Sequence, residues 1–498
     1  MYAIGYDLGS SSIKAALLDI ENGKIISSAT YPENEMRMDA PKPGWAEQHP
    51  EDWWTNIKAA TNMLDKQKSG ALKHVKAIGI TYQMHGLVPV DKEHKVLRPS
   101  IIWCDGRAAE TGERAAKELG EKFCLENFLN LPGNFTAAKL RWIQENEPDV
   151  YKKIFKIMLP GDYIAMKLSG DIVTTVSGLS EGIFWNFRIG DIAHELLNHW
   201  NIDPVLLADT VDTFSQQGVV SAKACEETGI PEGTPVTYRA GDQPNNAFSL
   251  NVLEPGDIAA TAGTSGVVYG ILDKPSYDPT SRVNTFVHVN YSPDKPRYGV
   301  LLCVNGTGIL NSWMRKNFFS HGDGTISYDE INKMAGEIPP GAGGISVFPF
   351  GNGAERILVN KDPGASIHRV SFNRHDIRHI ARAGQEGIVF ALAYGVEVMQ
   401  EMGIKLETVK AGKGNMFMSP VFREVFVNTT KTRLELYDTD GAEGAARGGA
   451  YGAGLYSSFA DAFKNLELTG SEEPAQKLVS IYEHVFGNWK MKLKETII

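Results

Sequence analysis

Residues 1–31 read MYAIGYDLGSSSIKAALLDIENGKIISSATY, and residues 257–273 read DIAATAGTSGVVYGILD. In each, an apolar run meets a short turn of glycine with serine or threonine, and an apolar run resumes. In the first, YAIGYD and SIKAALLDI are two strands joined at Gly9–Ser12. The Asn22-Gly23 pair, a strong hairpin signal, leads into a third strand, IISSATY. The turn cores Gly9-Ser10-Ser11 and Gly263-Thr264-Ser265 are alike, as two related halves would be. A small-residue turn between buried strands presents several backbone N–H groups to an anion. Asp7, closing the first strand, projects into the same space. No helix follows the turn, so this is not the GxxxxGK[ST] phosphate loop. The plain alternative is a hairpin with a polar tip.

Between these stretches lies RAGDQPNN, residues 239–246. A Gly-Asp pair is ordinarily a turn. Its place between two anion-binding turns makes Asp242 a candidate base. An ordinary aspartate titrates at about 3.9, so Asp242 is expected to be ionised at neutral pH.

The chain has 498 residues, room for two to four domains, with 42% hydrophobic and 22% charged residues. A net charge of -10 argues against non-specific nucleic-acid binding. No apolar run approaches transmembrane length, and the N-terminus carries an acid where an export signal would be apolar. Cys104, Cys124, Cys225 and Cys303 are scattered without a CxxC pair, which favours a reducing cytoplasm over a disulfide or zinc framework.

KAIGITYQ (76–83) reads as a strand with LVPVD (87–91) as its partner, and Met84-His85-Gly86 lies between them. PSIIWCDGRAAE (99–110) is a strand running into Asp105, a helix N-cap by type. Asp105 and Arg107 suit polyol recognition, or simply cap the helix and pair with each other. Residues 133–201 read as largely helical, an insertion with little to say about chemistry. YGVLLCVNGTGILNSWM (298–314) is a strand entering a helix through Asn305–Gly308, whose N-terminus offers further N–H donors. VFPFGNGAER (347–356) reads as a loop suited to closing over a ligand. Residues 374–402 carry the longest helical stripe, interrupted by Gly384, Gly387 and Gly395. TVKAGKGNMFMSPVFREVF (408–426) is strand, glycine loop and helix, with the helix starting at Ser419 or Pro420. AEGAARGGAYGAG (442–454) is a small-residue helix made for close packing. Together these signals fit an ATP-dependent phosphoryl transferase working in a cleft between two α/β halves.

DLGSSSIKAALLD (7–19), PKPGWAEQHPEDWW (41–54), ITYQMHG (80–86), IIWCDGR (101–107), AGDQ (240–243), TAGTSG (261–266) and GKGN (412–415) stand in the order and spacing of the FGGY carbohydrate kinases. The chain resembles that family from Tyr2 to about Phe459. The QMHG and WCDGR elements are most similar to members acting on D-xylulose.

The resemblance implies two actin-like ATPase (ribonuclease-H-like) domains: 1–244 on the sugar side and 245–498 on the nucleotide side. It implies transfer of the ATP γ-phosphate to O5 of D-xylulose, with Mg²⁺. Asp242 matches the general base, and Asp7 and Asp242 the metal side. Met84, His85, Asp105, Arg107 and Gln243 match the sugar side. Gly9, Ser10, Ser11, Ser12 and Lys14, then Gly263, Thr264, Ser265 and Gly308, match the phosphate side. Gly412, Gly414 and Asn415 match the adenosine motif. Lys413 interrupts that motif's glycine run, and Pro244-Asn245-Asn246 replace the small residues that often follow the base. The expected partners are D-xylulose and ATP in the cytoplasm, with no nucleic acid and no membrane; a homodimer is admitted. Rival readings are a kinase of the same family for ribulose, glycerol or gluconate, and a non-kinase actin-like ATPase.

Overall fold

In the computed structural model of the chain, which describes residues 1–321, 324–412 and 414–497, the residues form two compact units. Unit 1 comprises Met1–Asn251, Phe286–Tyr298 and Thr439–Leu466; unit 2 comprises Val252–Thr285, Gly299–Asp438 and Glu467–Ile498. They differ from the expected halves 1–244 and 245–498 in three ways, of which the first is that Phe286–Tyr298 belongs to unit 1. Helix Asp242–Ser249 stays whole within unit 1, and the chain returns there late because helix Gly441–Gly452 covers that unit's sheet.

The sheet of unit 1 holds β1 (Tyr2–Leu8), β2 (Ile13–Asp19), β3 (Lys24–Tyr31), β4 (Val75–Tyr82) and β5 (Val236–Gly241), in the order β5-β4-β1-β2-β3. β1, β2 and β3 form the antiparallel meander, while β4 runs parallel to β1 and β5 parallel to β4. Cover on both faces explains the almost unbroken apolar runs of β1 and β4. Trp53, Ile57 and Leu64 of helix Pro50–Gln67 join one core with Ile4, Tyr6, Ile78 and Ile80. Helix Gly441–Gly452 lies so close that a Cβ at Gly5 would stand 2.0 Å from Ala442 O, and one at Gly79 1.8 Å from Ala445 O. Thr237 Oγ1 donates to Gly449 O across the same contact, at 2.6 Å. The small residues of 442–454 are thus packing residues. Gly79→Ala is expected to destabilise the protein by about 1–3 kcal/mol through overpacking against backbone. A thermal unfolding curve checks this, and an unshifted midpoint would contradict it.

The second sheet, which lies in unit 2 except for Phe286, Val287 and Tyr298, holds β6 (Ile258–Ala262), β7 (Gly266–Leu272), β8 (Asn284–Val287), β9 (Tyr298–Val304), β10 (Thr408–Gly412), β11 (Arg433–Tyr437) and β12 (Leu468–Glu472), in the order β8-β9-β7-β6-β10-β11-β12. β6 and β7 are antiparallel, β10 is parallel to β6, and β11 is parallel to β10. This repeats the β1, β2, β4, β5 arrangement, so the echo between the two glycine turns is an echo of topology. Helix Ile377–Glu401 is buried along most of its length. Its Gly387 would meet Val347 O at 2.3 Å and its Gly395 would meet Leu302 at 2.2 Å if either carried a Cβ, so these glycines admit close neighbours.

Three local expectations change. Strand Val88–Val90 pairs with Lys156–Met158, not with β4. Both edges of β4 are already taken by β1 and β5. Ser346–Phe350 is a strand paired with Gly364–His368, so only the second part of 347–356 is a loop. Its Val347, Phe348 and Phe350 belong to the core of unit 2. Residues 133–201 hold short helices, among them Thr136–Asn146, Pro160–Ser169 and Val176–Glu181, together with short strands.

Candidate active site

Parallel β5 ends at Gly241, and Asp242 opens the helix that follows. This strand-to-helix joint turns the carboxylate outward beyond the sheet. It also accounts for Pro244 and Asn245. A proline in the first helical turn loses no intrahelical hydrogen bond, and Asn245, fully buried, donates from Nδ2 to Gly441 O at 2.9 Å.

The meander brings its own turn to the same place. Gly9 N–H donates to Ser12 O at 3.1 Å, closing the hairpin between β1 and β2. Asp7 stands opposite Lys14 in the ladder. Asp7, Gly9, Ser10, Ser11, Ser12, Lys14, Gln83, Trp103 and Asp242 together line one cavity of about 270 Å³ in unit 1. Burial pushes Asp7 up to about 6, with Lys14 opposing and Asp440 adding to the rise. Burial, and next the charge of Asp7, push Asp242 up to about 7, with hydrogen bonds from Gln243 opposing. The expectation of an ordinary, fully ionised Asp242 is thereby corrected: burial in a partly dry cavity, and next the nearby carboxylate of Asp7, raise its proton affinity.

Gln83 is a site residue that the sequence offered only as a neighbour of Met84. It is 2% exposed, and its Nε2 donates to Gln48 Oε1 at 3.1 Å. Gln48 in turn accepts from Trp53 Nε1 and donates to Ser10 O at 2.7 Å. PKPGWAEQHPEDWW is thus the brace beneath the serine turn. Met84 is buried and packs on Gly241. His85 is partly exposed, between the rings of Phe135 and Phe286 at 4.8 and 5.6 Å. Its Nδ1 lies 3.0 Å from the carbonyl oxygen of Glu181, which only accepts. Nδ1 therefore carries the proton, and in the neutral ring Nε2 is the acceptor.

Asp105 and Arg107 are not open to a ligand, which corrects the polyol reading. Neither side chain has any exposure; they pair at 2.6 Å, and Arg107 also reaches Glu47 at 2.6 Å and stacks over Trp45 at 3.7 Å. Nor does Asp105 cap the helix, which begins at Ala109. It accepts instead from Arg107 N–H, and its full burial requires the guanidinium beside it.

A second cavity, of about 570 Å³, lies in unit 2 and is lined in part by Gly263, Thr264, Gly308, Asn332, Asn415 and Ser419. Gly308 N–H donates to Gly263 O at 2.9 Å and Ile309 N–H to Thr264 O at 3.1 Å. The glycine turn and the start of helix Gly308–Phe318 are thereby one piece. Ser419 caps helix Pro420–Thr430 through Phe422 N–H. Ser265 and Gly414 stand next to lining residues without lining the cavity themselves, and Gly412, at the end of β10, does not line it either. Lys413 lies outside the described residues.

Comparison with known proteins agrees with this architecture. Residues 2–249 match the FGGY family of carbohydrate kinases, N-terminal domain, and residues 258–456 its C-terminal domain. The xylulose kinase of Lactococcus lactis is 28% identical over 99% of this chain and 97% of its own length. That of Escherichia coli K12 is 27% identical over 96% of each. Among solved structures, a ligand-bound xylulose kinase from Lactobacillus acidophilus has a TM-score of 0.89 at 22% identity, covering 99% and 98% of the two proteins. A gluconate kinase from the same organism has a TM-score of 0.89 at 21% identity, covering 100% and 98%. A Plasmodium falciparum glycerol kinase with ADP has a TM-score of 0.88 at 21% identity, with the same coverage. Fold and family together define a phosphotransferase that acts on a sugar hydroxyl. The chain belongs to the FGGY family of carbohydrate kinases.

Proposed function

We propose that the enzyme transfers the γ-phosphate of ATP to O5 of D-xylulose, giving D-xylulose 5-phosphate and ADP. Unit 1 is the sugar side and unit 2 the nucleotide side. The observation that carries the reading is the cavity shared by Asp242, Asp7 and the Gly9–Ser12 turn. Asp242 accepts the proton of the attacking hydroxyl. A base held near the working pH is matched to that task, since a substantial fraction is deprotonated before attack and it is a good acceptor during it. The N–H groups and hydroxyls of Gly9–Ser12, and those of Gly263, Thr264 and Gly308, cradle phosphate oxygens, with Lys14 adding charge. Asn415 and Ser419 border the space for the nucleoside.

Among the described residues no group of three or more His, Cys, Asp or Glu gathers as a metal cage. Mg²⁺ does not need one, because it keeps several waters and takes phosphate oxygens beside one or two carboxylates. Asp7 and Asp242 line one cavity and are such a pair, and a cation there would offset the burial that raises the proton affinity of both. Bound there, Mg²⁺ would neutralise charge on the phosphates being transferred.

No helix among the described residues is long and apolar enough to cross a membrane, which agrees with the cytoplasmic site of action we infer. The test is ADP release with Mg-ATP and, in turn, D-xylulose, ribulose, glycerol and gluconate. D-Xylulose is expected to give the highest kcat/KM; a higher value with any of the others would overturn the assignment of acceptor.

A further inference from the structure

Two buried ionisable side chains meet at the loop that carries His85, and the phosphoryl transfer itself uses neither. Lys139, on helix Thr136–Asn146, has no exposure. Its ammonium donates to the carbonyls of His85 at 2.8 Å and Ile102 at 2.9 Å. Glu181, which ends helix Val176–Glu181, is 1% exposed. Its Oε1 accepts the His85 N–H at 3.1 Å, and its own carbonyl accepts Nδ1–H at 3.0 Å. Its other carboxylate oxygen abuts Gly241, the residue before Asp242, where a Cβ would meet it at 2.6 Å.

His85 itself has φ +62, in the left-handed region that a residue with a side chain rarely adopts. Such a conformation persists when the surroundings over-determine it. Here they do so at the backbone N–H, the backbone carbonyl and the ring.

Lys139 also does something that a neutral donor on either loop would not. One nitrogen ties residues 83–86 to the segment leaving Ile102. Both loops reach the cavity of Asp7 and Asp242, one through Gln83 and the other through Trp103. Removing a charge from water is costly, and burial pushes the Lys139 amine down to about 7, with Asp105 opposing.

We propose that Lys139 and Glu181 are positioning residues for the acceptor sugar, holding His85 in its left-handed turn and tying the two cavity loops together without touching the reacting atoms. The inference rests on the reading that this cavity receives the sugar.

The experiment is steady-state kinetics of the full-length wild type and of Lys139→Met, varying acceptor and ATP separately, with a thermal melt to establish that the variant is folded. The acceptor KM is expected to rise about tenfold or more, the scale of a lost charged hydrogen bond. The ATP KM and kcat are expected to stay within about twofold, the signature of lost uniform binding. If Lys139→Met does not fold, Glu181→Leu carries the same expectation from the other side of His85. A folded variant with unchanged acceptor KM overturns the inference, and so does one in which both KM values rise together. If the wild type phosphorylates no acceptor, the functional reading falls and takes the inference with it. If the wild type is active and the variant unaffected, the inference alone falls.

Discussion

Asp242→Asn is expected to lose about 10² to 10⁴ in kcat, the usual worth of a general base, while still binding the sugar. Asparagine keeps the size and shape of the side chain at the start of helix Asp242–Ser249. It cannot accept the hydroxyl proton. Nothing else on the sugar side changes, because Met84, His85 and Gln83 are held by their own contacts with Gly241, Glu181 and Gln48. Trp103 is 47% exposed and lines the same cavity, so the change in tryptophan fluorescence on adding sugar, compared with a Trp103→Phe control, reports sugar binding in both proteins. A variant that binds the sugar and turns over at the wild-type rate would remove Asp242 from the role.

The second large effect belongs to unit 2. In Gly308→Val, the first atom of the new side chain would stand 2.3 Å from Gly263 O. The helix start must then move off the glycine turn and break the paired hydrogen bonds of Gly308 and Ile309. Overpacking of this kind costs about 1–3 kcal/mol. If all of it falls on nucleotide binding, the KM for ATP rises about 5- to 150-fold. Affinity for the sugar, which we propose is set by residues of unit 1, is expected to hold when measured without nucleotide. An unchanged KM for ATP would show that the 570 Å³ cavity is not where the nucleotide binds.

Much of this arrangement was legible in the sequence because it rests on local signals. The meander of β1–β3, the two glycine turns, the start of helix Pro420–Thr430 and the acid after β5 are all written within a few residues of where they act. What escaped was set at long range. Val88–Val90 is a plausible hairpin partner for β4 by pattern, but parallel neighbours from distant parts of the sequence occupy β4 on both edges. Asp105 and Arg107 look like open sugar ligands until Glu47 and Trp45, from an earlier loop, close over them. Lys139 in FTAAKL cannot be told from a surface lysine by spacing alone. Only the folded protein shows it fully buried against two carbonyls, in a stretch that promised no chemistry. The departure at Pro244-Asn245-Asn246 is a first helical turn docked on helix Gly441–Gly452, a contact spanning 196 residues.

The central claim, that the protein phosphorylates a sugar hydroxyl and that this sugar is D-xylulose, is tested most directly on the product. Purified protein with Mg-ATP and D-xylulose is followed by phosphorus and carbon NMR. The account predicts a single new phosphate ester coupled to C5, formed in step with ADP. ADP appearing at the same rate with or without D-xylulose, and no ester, would contradict it.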